Sequence, residues 1–454
     1  MLKRTAGALR PVLMIAEKFP PHATSGTARP FFFARHLPDF GYRPVVLASP
    51  LLQGDRSDPD LLRALPGDVE VVRAFRAVVA ARSAFTTSSA GPARAKRSRQ
   101  TAQRLGDSAT AVAVPPPRRI ASRLATVRET AAWLTLWHLD WLPPAFVRGV
   151  AVARRRRVQL IWVTAPHMKN LVLGYVLSRA LNRPLVVDLR DPWTYGSLWL
   201  PISPLAEKVE RSWARRVLGA ASLIVFTSPL TQRETEARFP GVRGKCRTIT
   251  NGYSADEAAI EPLRGGFAGK FLLRHTGALN HRRTPDVLLR ALHLAIERQP
   301  ALRSTLHLEL VGDLGSNEAR LFDSSVAPCI SARGHVSRAE SLALMRGADV
   351  NVLLQTVTAG TDVIAGKAFD YLASERPILA VVDPCGGDAW LLRQFEGAAI
   401  SSCADAHAVA NAISSLHARW MTGTLPAVKG NLAAYERRHL SQLLARELDR
   451  IVRR

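Results

Sequence analysis

The sequence predicts an α/β protein built as two Rossmann-like domains that face each other across a cleft. Three observations carry this. Short apolar runs alternate with helical stretches along the chain, in two separate series. The first of them, Pro11 to Ala16, is continuously apolar, as a strand buried on both faces of a parallel sheet should be. The chain has 454 residues, 47% hydrophobic and 22% charged, enough for two or three domains with ordinary cores.

The first series places strands at 11–16, 43–49, 69–75, 159–165, 184–188 and 222–228. A Pro/Gly-containing loop over 19–27 follows the first strand. A helix then runs to about Phe40, and Gly41 ends it. The second series places strands at 271–276, 306–311, 330–333, 349–355, 377–382 and 398–402. Between them, residues 251–269 hold Gly252, Pro262, Gly265 and Gly266 and read as the junction. The expected division is 1–255, 256–430 and a tail, 431–454, read as one amphipathic helix from Leu432.

Residues 78–157 interrupt the first series. They hold 15 basic against 3 acidic residues, +12 of the chain's net +25. From 83 to 117 the composition is Ala, Ser, Arg and Pro, which suits poor order. Trp133, Trp137 and Trp141 follow at spacing four and would share one helix face. That face either packs on its own domain or meets an anionic lipid surface.

A charge of +25 points to an anionic partner: nucleic acid, a membrane surface or a phosphorylated ligand. No helix-turn-helix, zinc or RNA-recognition signature accompanies it, so nucleic acid is not expected. Cys246, Cys329, Cys385 and Cys403 form no CxxC pair, which argues against a zinc ribbon and for reduced thiols. No apolar stretch is long enough to span a bilayer, and the start of the chain lacks a signal core.

Ligands of open parallel sheets bind beyond the carboxyl ends of the strands, so the candidate chemistry lies in the strand-end loops. After the 349–355 strand come Asp362, Gly366, Lys367, Asp370, Arg376 and Pro377. A helix opening near Gly366 offers amides and a dipole to a phosphate, and Lys367 adds a cation there. Asp370, one turn on, can accept hydrogen bonds from a ribose diol. The plain reading of the two acids is an N-cap and first turn, which favour Asp anyway. Gly277 to Arg283, after the 271–276 strand, hold the adjacent cations Arg282 and Arg283. After the 184–188 strand stands Asp188-x-Arg190-Asp191-Pro192-Trp193, whose acids serve either a ligand or a structural pairing with Arg190. His167 lies in the loop after the 159–165 strand, as an acid/base candidate or a structural group. Gly26, in the first loop, permits close backbone approach.

The span from Asp362 to Ile378 resembles the donor-site motif of the retaining glycosyltransferases of family 4. There a Glu, seven residues and a second Glu precede an apolar helix and a Gly/Arg-Pro turn into a strand. Asp362 and Asp370 stand at the two Glu positions. Gly277-Ala278-Leu279 is similar to the family's Gly-Arg-Leu, with Ala278 in place of Arg and with Arg282 or Arg283 in the region of its Lys. The Asp188 to Trp193 string and residues 164–167 look like a subgroup from bacterial polysaccharide clusters. The resemblance covers nearly the whole chain outside about 78–130.

It implies the GT-B fold and transfer of a sugar, with retention and without a metal or other cofactor, from a nucleotide-diphosphate sugar. Carried over, Asp370 binds the ribose, and Asp362, His167 and Asp191 serve catalysis. Lys367, Gly366, Arg282, Arg283, Gly277 and Gly26 hold the donor, and Asp188 and Arg190 shape the acceptor or active-site loop. The implied acceptor is a lipid-linked saccharide of exopolysaccharide, capsule or lipopolysaccharide assembly. The implied place is cytoplasmic, peripheral at the inner face of the membrane. A nucleotide-sugar epimerase of the same fold and a non-catalytic homologue are the alternatives.

Overall fold

The computed structural model describes residues 9–52, 55–75, 141–165, 168–196, 199, 203–279, 283–315, 321–322, 324–355 and 362–453. His167, Arg282, Trp133, Trp137 and most of the basic insertion lie outside them.

Two wholly parallel sheets form the frame. The first has seven strands: β1 Arg10–Ile15, β2 Tyr42–Ala48, β3 Glu70–Arg73, β4 Leu160–Thr164, β5 Leu185–Leu189, β6 Leu223–Phe226 and β7 Cys246–Thr248. Their order is β3-β2-β1-β4-β5-β6-β7. The second has six: β8 Phe271–Thr276, β9 Leu306–Val311, β10 Ile330–Arg333, β11 Val350–Leu354, β12 Ile378–Val382 and β13 Ala398–Ser402, ordered β10-β9-β8-β11-β12-β13. Each order reverses once, between β1 and β4 and between β8 and β11. These are the two topological switch points, where the loops splay apart and leave a crevice for a ligand.

The pleat sends alternate side chains to opposite faces. Leu13 and Ile15 of β1 enter one core, shared with helices Leu142–Arg155, Met168–Leu181 and Pro204–Ala220. Val12 and Met14 enter the other, under helix Ser25–His36. The strands read correctly because a strand covered on both faces is mostly apolar; polar exceptions such as Arg274 and Glu309 are buried as a pair. Only β7 was missed. It is three residues long, contains Arg247 and lies on the sheet edge, so it needs no apolar run.

The structure decides one alternative left open by the sequence and changes one expectation. Trp141 sits fully buried in the first core, at the start of the Leu142–Arg155 helix. It packs on its own domain and is not available to a lipid surface. The tail is a 3-10 turn, Leu432–Tyr435, followed by helix Arg437–Val452. That helix leaves the second domain and lays Leu440, Leu444 and Leu448 on the Val12/Met14 face of the first. Arg438 pairs with Asp39 at 3.0 Å and Tyr42 donates to Asp449 at 2.7 Å, which fix its seat.

Candidate functional site

The second domain's switch point gathers four backbone and side-chain features. Gly277 follows β8 at φ +130°, and Gly312 follows β9 at φ +129°. Side chains other than glycine rarely adopt these angles. Space forbids them too. A Cβ on Gly312 would lie 2.9 Å from the Gly277 carbonyl carbon, and one on Gly277 would meet the Lys367 side chain at Cε 3.0 Å. The two glycines thus make a bare backbone floor beside the Lys367 amine. Lys367 is the second residue of helix Gly366–Ala373, whose first-turn amides carry no side-chain cap. Such an N-terminus is suited to an anion.

His275 is buried at the end of β8, with Nδ1 2.9 Å from the Val352 carbonyl. A carbonyl only accepts, so Nδ1 donates and Nε2 is left to face Lys367 Nζ at 3.3 Å as an acceptor. Burial, with Lys367 beside it, holds the imidazole well below its ordinary pKa. Burial, reinforced by Arg283, brings Lys367 down to about 7. Arg283 therefore belongs to this cluster. Asp388 completes it. Its Oδ1 accepts from the Ala365 amide at 2.8 Å, and its Oδ2 has no hydrogen-bond partner among the described residues. Burial pushes its carboxyl up to about 6, against the pull of Arg283 and Lys367.

Asp370 points the other way from the same helix. Arg338 grips it with both Nη groups, at 2.8 and 2.7 Å, and also reaches Glu257 at 2.9 Å. A carboxylate offers about four lone-pair sites. The fork occupies two, so capacity remains for a diol. Asp362 lies at the turn before the helix and is half-buried. Burial, then Glu234 and Asp383, raise its pKa, while Arg238 opposes them. Its carbonyl accepts from Thr231 of the first domain at 3.2 Å, which brings the two domains together here.

On the first-domain side, Asp188 is wholly buried at the end of β5. Its partner is not Arg190 but Arg29, 159 residues away, whose Nε and Nη2 reach it at 2.8–3.0 Å. Arg29 also donates to the carbonyls of Ile249 and Thr250, both at 2.8 Å. Thr164 donates to Asp188 at 2.7 Å. Asp188 is thus a fixed anchor behind the loop. Arg190 donates to the Gly26 carbonyl at 2.7 Å. Burial lowers its pKa, against Asp188 and Asp191. Gly26 lies in the first turn of helix Ser25–His36, where a Cβ would find only ordinary contacts, Thr24 Oγ1 at 3.6 Å being the nearest. Asp191 is half-buried beside them. At the β1/β4 switch point Glu17 and Lys169 form a buried pair at 2.9 Å.

Sequence reasoning missed Arg29, Arg338, Gly312, His275 and Asp388. For two of them a signal exists: Gly312-Asp313 follows β9 directly and Gly386-Gly387-Asp388 lies in the loop after β12, where ligand loops stand. Among the described residues no group of three or more His, Cys, Asp or Glu is placed to hold a metal ion. No helix among them is long and apolar enough to cross a membrane.

No family model and no curated protein matches the chain. Solved structures do. HepE (Alr3699) of Anabaena, in complex with UDP-glucose, superposes with a TM-score of 0.62 at 17% identity, over 97% of this chain and 99% of that one. Sucrose-phosphate synthase from Thermosynechococcus elongatus gives 0.56 at 14% identity, over 98% and 95%. A UDP-forming α,α-trehalose-phosphate synthase from Burkholderia vietnamiensis gives 0.56 at 15% identity, over 98% and 97%. The likeness, with the two parallel sheets, shows the GT-B fold.

Proposed function

We propose that the chain is a glycosyltransferase that takes a sugar from a nucleotide-diphosphate donor and transfers it, with retention, to a lipid-linked saccharide of bacterial surface polysaccharide synthesis. One observation carries the donor site. Gly277, Gly312, Lys367, Arg283 and the open end of the 366–373 helix converge at the switch point of the second sheet. Bare backbone, helix amides and two cations together fit a diphosphate and little else.

The roles follow from position. The helix amides, Lys367 and Arg283 bind the two phosphates and stabilise the charge that develops on them as the sugar leaves. Groups already aimed at that charge need no reorganisation at the moment of reaction. Asp388 holds the Ala365 amide and so the direction of the helix end. Asp370, steadied by Arg338, takes the ribose hydroxyls. Asp362, where the domains meet, stands at the sugar end and hydrogen-bonds the sugar undergoing transfer. Arg190 and Gly26 form the facing wall, with Asp188 and Arg29 as its fixed support. Asp191, His167 and Arg282 keep the roles that the family resemblance implies.

The basic insertion suits an anionic leaflet that carries the acceptor, which supports a position at the inner face of the cytoplasmic membrane. Deleting residues 85–118 is expected to weaken binding to anionic vesicles and to spare nucleotide binding.

The test is release of nucleoside diphosphate from a panel of donors, with and without saccharide acceptors. Release that depends on acceptor and falls in Lys367→Ala supports transfer. Product from donor alone supports the epimerase. No release with any donor, and none lost in the variant, refutes the reading.

A further inference from the structure

A second cationic hollow lies in the first domain, apart from the donor cluster. Thr194, Arg211, Arg215, Arg238 and Phe239 line a space of about 230 Å³. At about 30 Å³ per water it has room for on the order of seven waters, enough for a phosphate or diphosphate group. The arginines come from two helices, Pro204–Ala220 and Pro229–Arg238, which follow β5 and β6. Arg211 and Arg215 are one turn apart and share a face.

The guanidinium groups are placed in part by other side chains. Arg211 lies 5.1 Å from the Trp199 ring centroid and donates to Glu207 through Nε at 2.9 Å. Arg238 lies 5.0 Å from the Tyr195 ring centroid and donates to Glu234 through Nε at 2.6 Å. Pairing through Nε leaves the two Nη groups of each fork for a further acceptor. Arg215 pairs with no carboxylate among the described residues. Three guanidinium groups therefore face two carboxylates, and the hollow stays positive.

Its floor is strained. Thr194 is buried with φ +67°. For a β-branched residue that conformation costs about 1–3 kcal/mol and is kept where the surroundings over-determine it, often at a ligand site. Here Trp193 is locked in the core and the Tyr195 hydroxyl is held by Thr235 at 2.5 Å. The hollow also adjoins the sugar end of the donor site. Thr231, on the same helix as Arg238, bonds the Asp362 carbonyl, and Arg238 acts on the Asp362 carboxyl.

We propose that this hollow binds the phosphate or diphosphate group of the acceptor and thereby sets the acceptor's hydroxyl beside Asp362. The assignment rests on the glycosyltransferase reading. The same chemistry is offered by a polyprenyl diphosphate headgroup and by a soluble sugar phosphate.

The test is titration calorimetry of the full chain with inorganic pyrophosphate. Two sites are expected in the unaltered protein. Lys367→Ala removes the donor site alone. Arg211→Gln with Arg215→Gln weakens the other at least about tenfold, as loss of charge-assisted bonds should. Both arginines are exposed, so the fold is expected to survive, and Arg215→Lys is expected to restore only part of the affinity because it lacks the fork. Pyrophosphate binding unchanged in the double glutamine variant overturns the proposal. Absence of the Lys367-dependent site overturns the donor reading instead. Displacement from the arginine site by vesicles containing a polyprenyl diphosphate, or by a hexose 6-phosphate, identifies the source. Displacement by neither overturns the acceptor assignment.

Discussion

At pH 8 about nine-tenths of a lysine with a pKa near 7 is uncharged, and Lys367 is held at about 7, by burial first and by Arg283 second. A nucleoside diphosphate bound beside it reverses the balance, because an adjacent anion favours the ammonium. Binding must then take up a proton. In the free protein Lys367 is mostly charged below pH 7 and loses its proton above, while the complex keeps it. The apparent Kd should grow by a factor of 1 + 10^(pH − 7): roughly 2 at pH 7, about 11 at pH 8 and about 100 at pH 9. From pH 7 to 9 that is a loss of about fifty-fold, or ~2.3 kcal/mol. The phosphates titrate near pH 6 and do not contribute in this range. Calorimetry of UDP, ADP and GDP in two buffers of different ionisation enthalpy gives the proton count directly, and about 0.9 is expected at pH 8. Lys367→Arg, which stays charged, should flatten the profile. A Kd constant within about twofold from pH 7 to 9, or the same slope in Lys367→Ala, would refute the reasoning.

Other changes probe the frame and the site. Arg29→Met leaves the buried Asp188 charge unpaired and should cost about 3–5 kcal/mol, read as the shift in a urea unfolding curve. A loss under about 1 kcal/mol would mean that Asp188 is neutral or reached by water. Gly174→Ala sets a methyl 2.6 Å from Val163 Cγ1 and 2.9 Å from its Cβ, on a central strand that cannot yield. A cost of about 1–3 kcal/mol is expected in the same assay. Gly277→Ala should weaken nucleoside diphosphate binding at least about tenfold, since the new methyl displaces the Lys367 amine and the backbone resists φ +130°. Leu444→Ala, in the last helix, should destabilise the first domain by about 2–5 kcal/mol; a change confined to the second domain would show the packing to be wrong.

Much of this architecture was legible before the structure, and the reason lies in the strands. A parallel strand covered on both sides is mainly apolar, so such runs stand out between helices, and β8, β9 and β13 match their expected bounds to the residue. The helix at Gly366 was legible because a loop, a glycine and a cation preceded an apolar run. What stayed hidden depends on distance along the chain. Nothing near Asp188 announces that Arg29 will reach it. Nothing near Asp370 announces Arg338, and the string of Asp188, Arg190 and Asp191 does not show that Asp188 turns to Arg29. The place of Trp141 stayed open for a related reason: spacing places a residue on a face but does not say what covers that face.

The last helix has a consequence for biosynthesis. The sheet of the first domain is complete once β7 ends at Thr248, yet one of its faces waits for Leu440, Leu444 and Leu448. About 190 residues must be made in between, which at roughly 5–20 residues per second takes on the order of ten to forty seconds. For that interval a nascent chain presents Val12, Met14 and Trp162 incompletely covered, an apolar surface of the kind that chaperones hold. A ribosome that stops after the second domain would release a protein with an intact donor site and an unfinished partner domain.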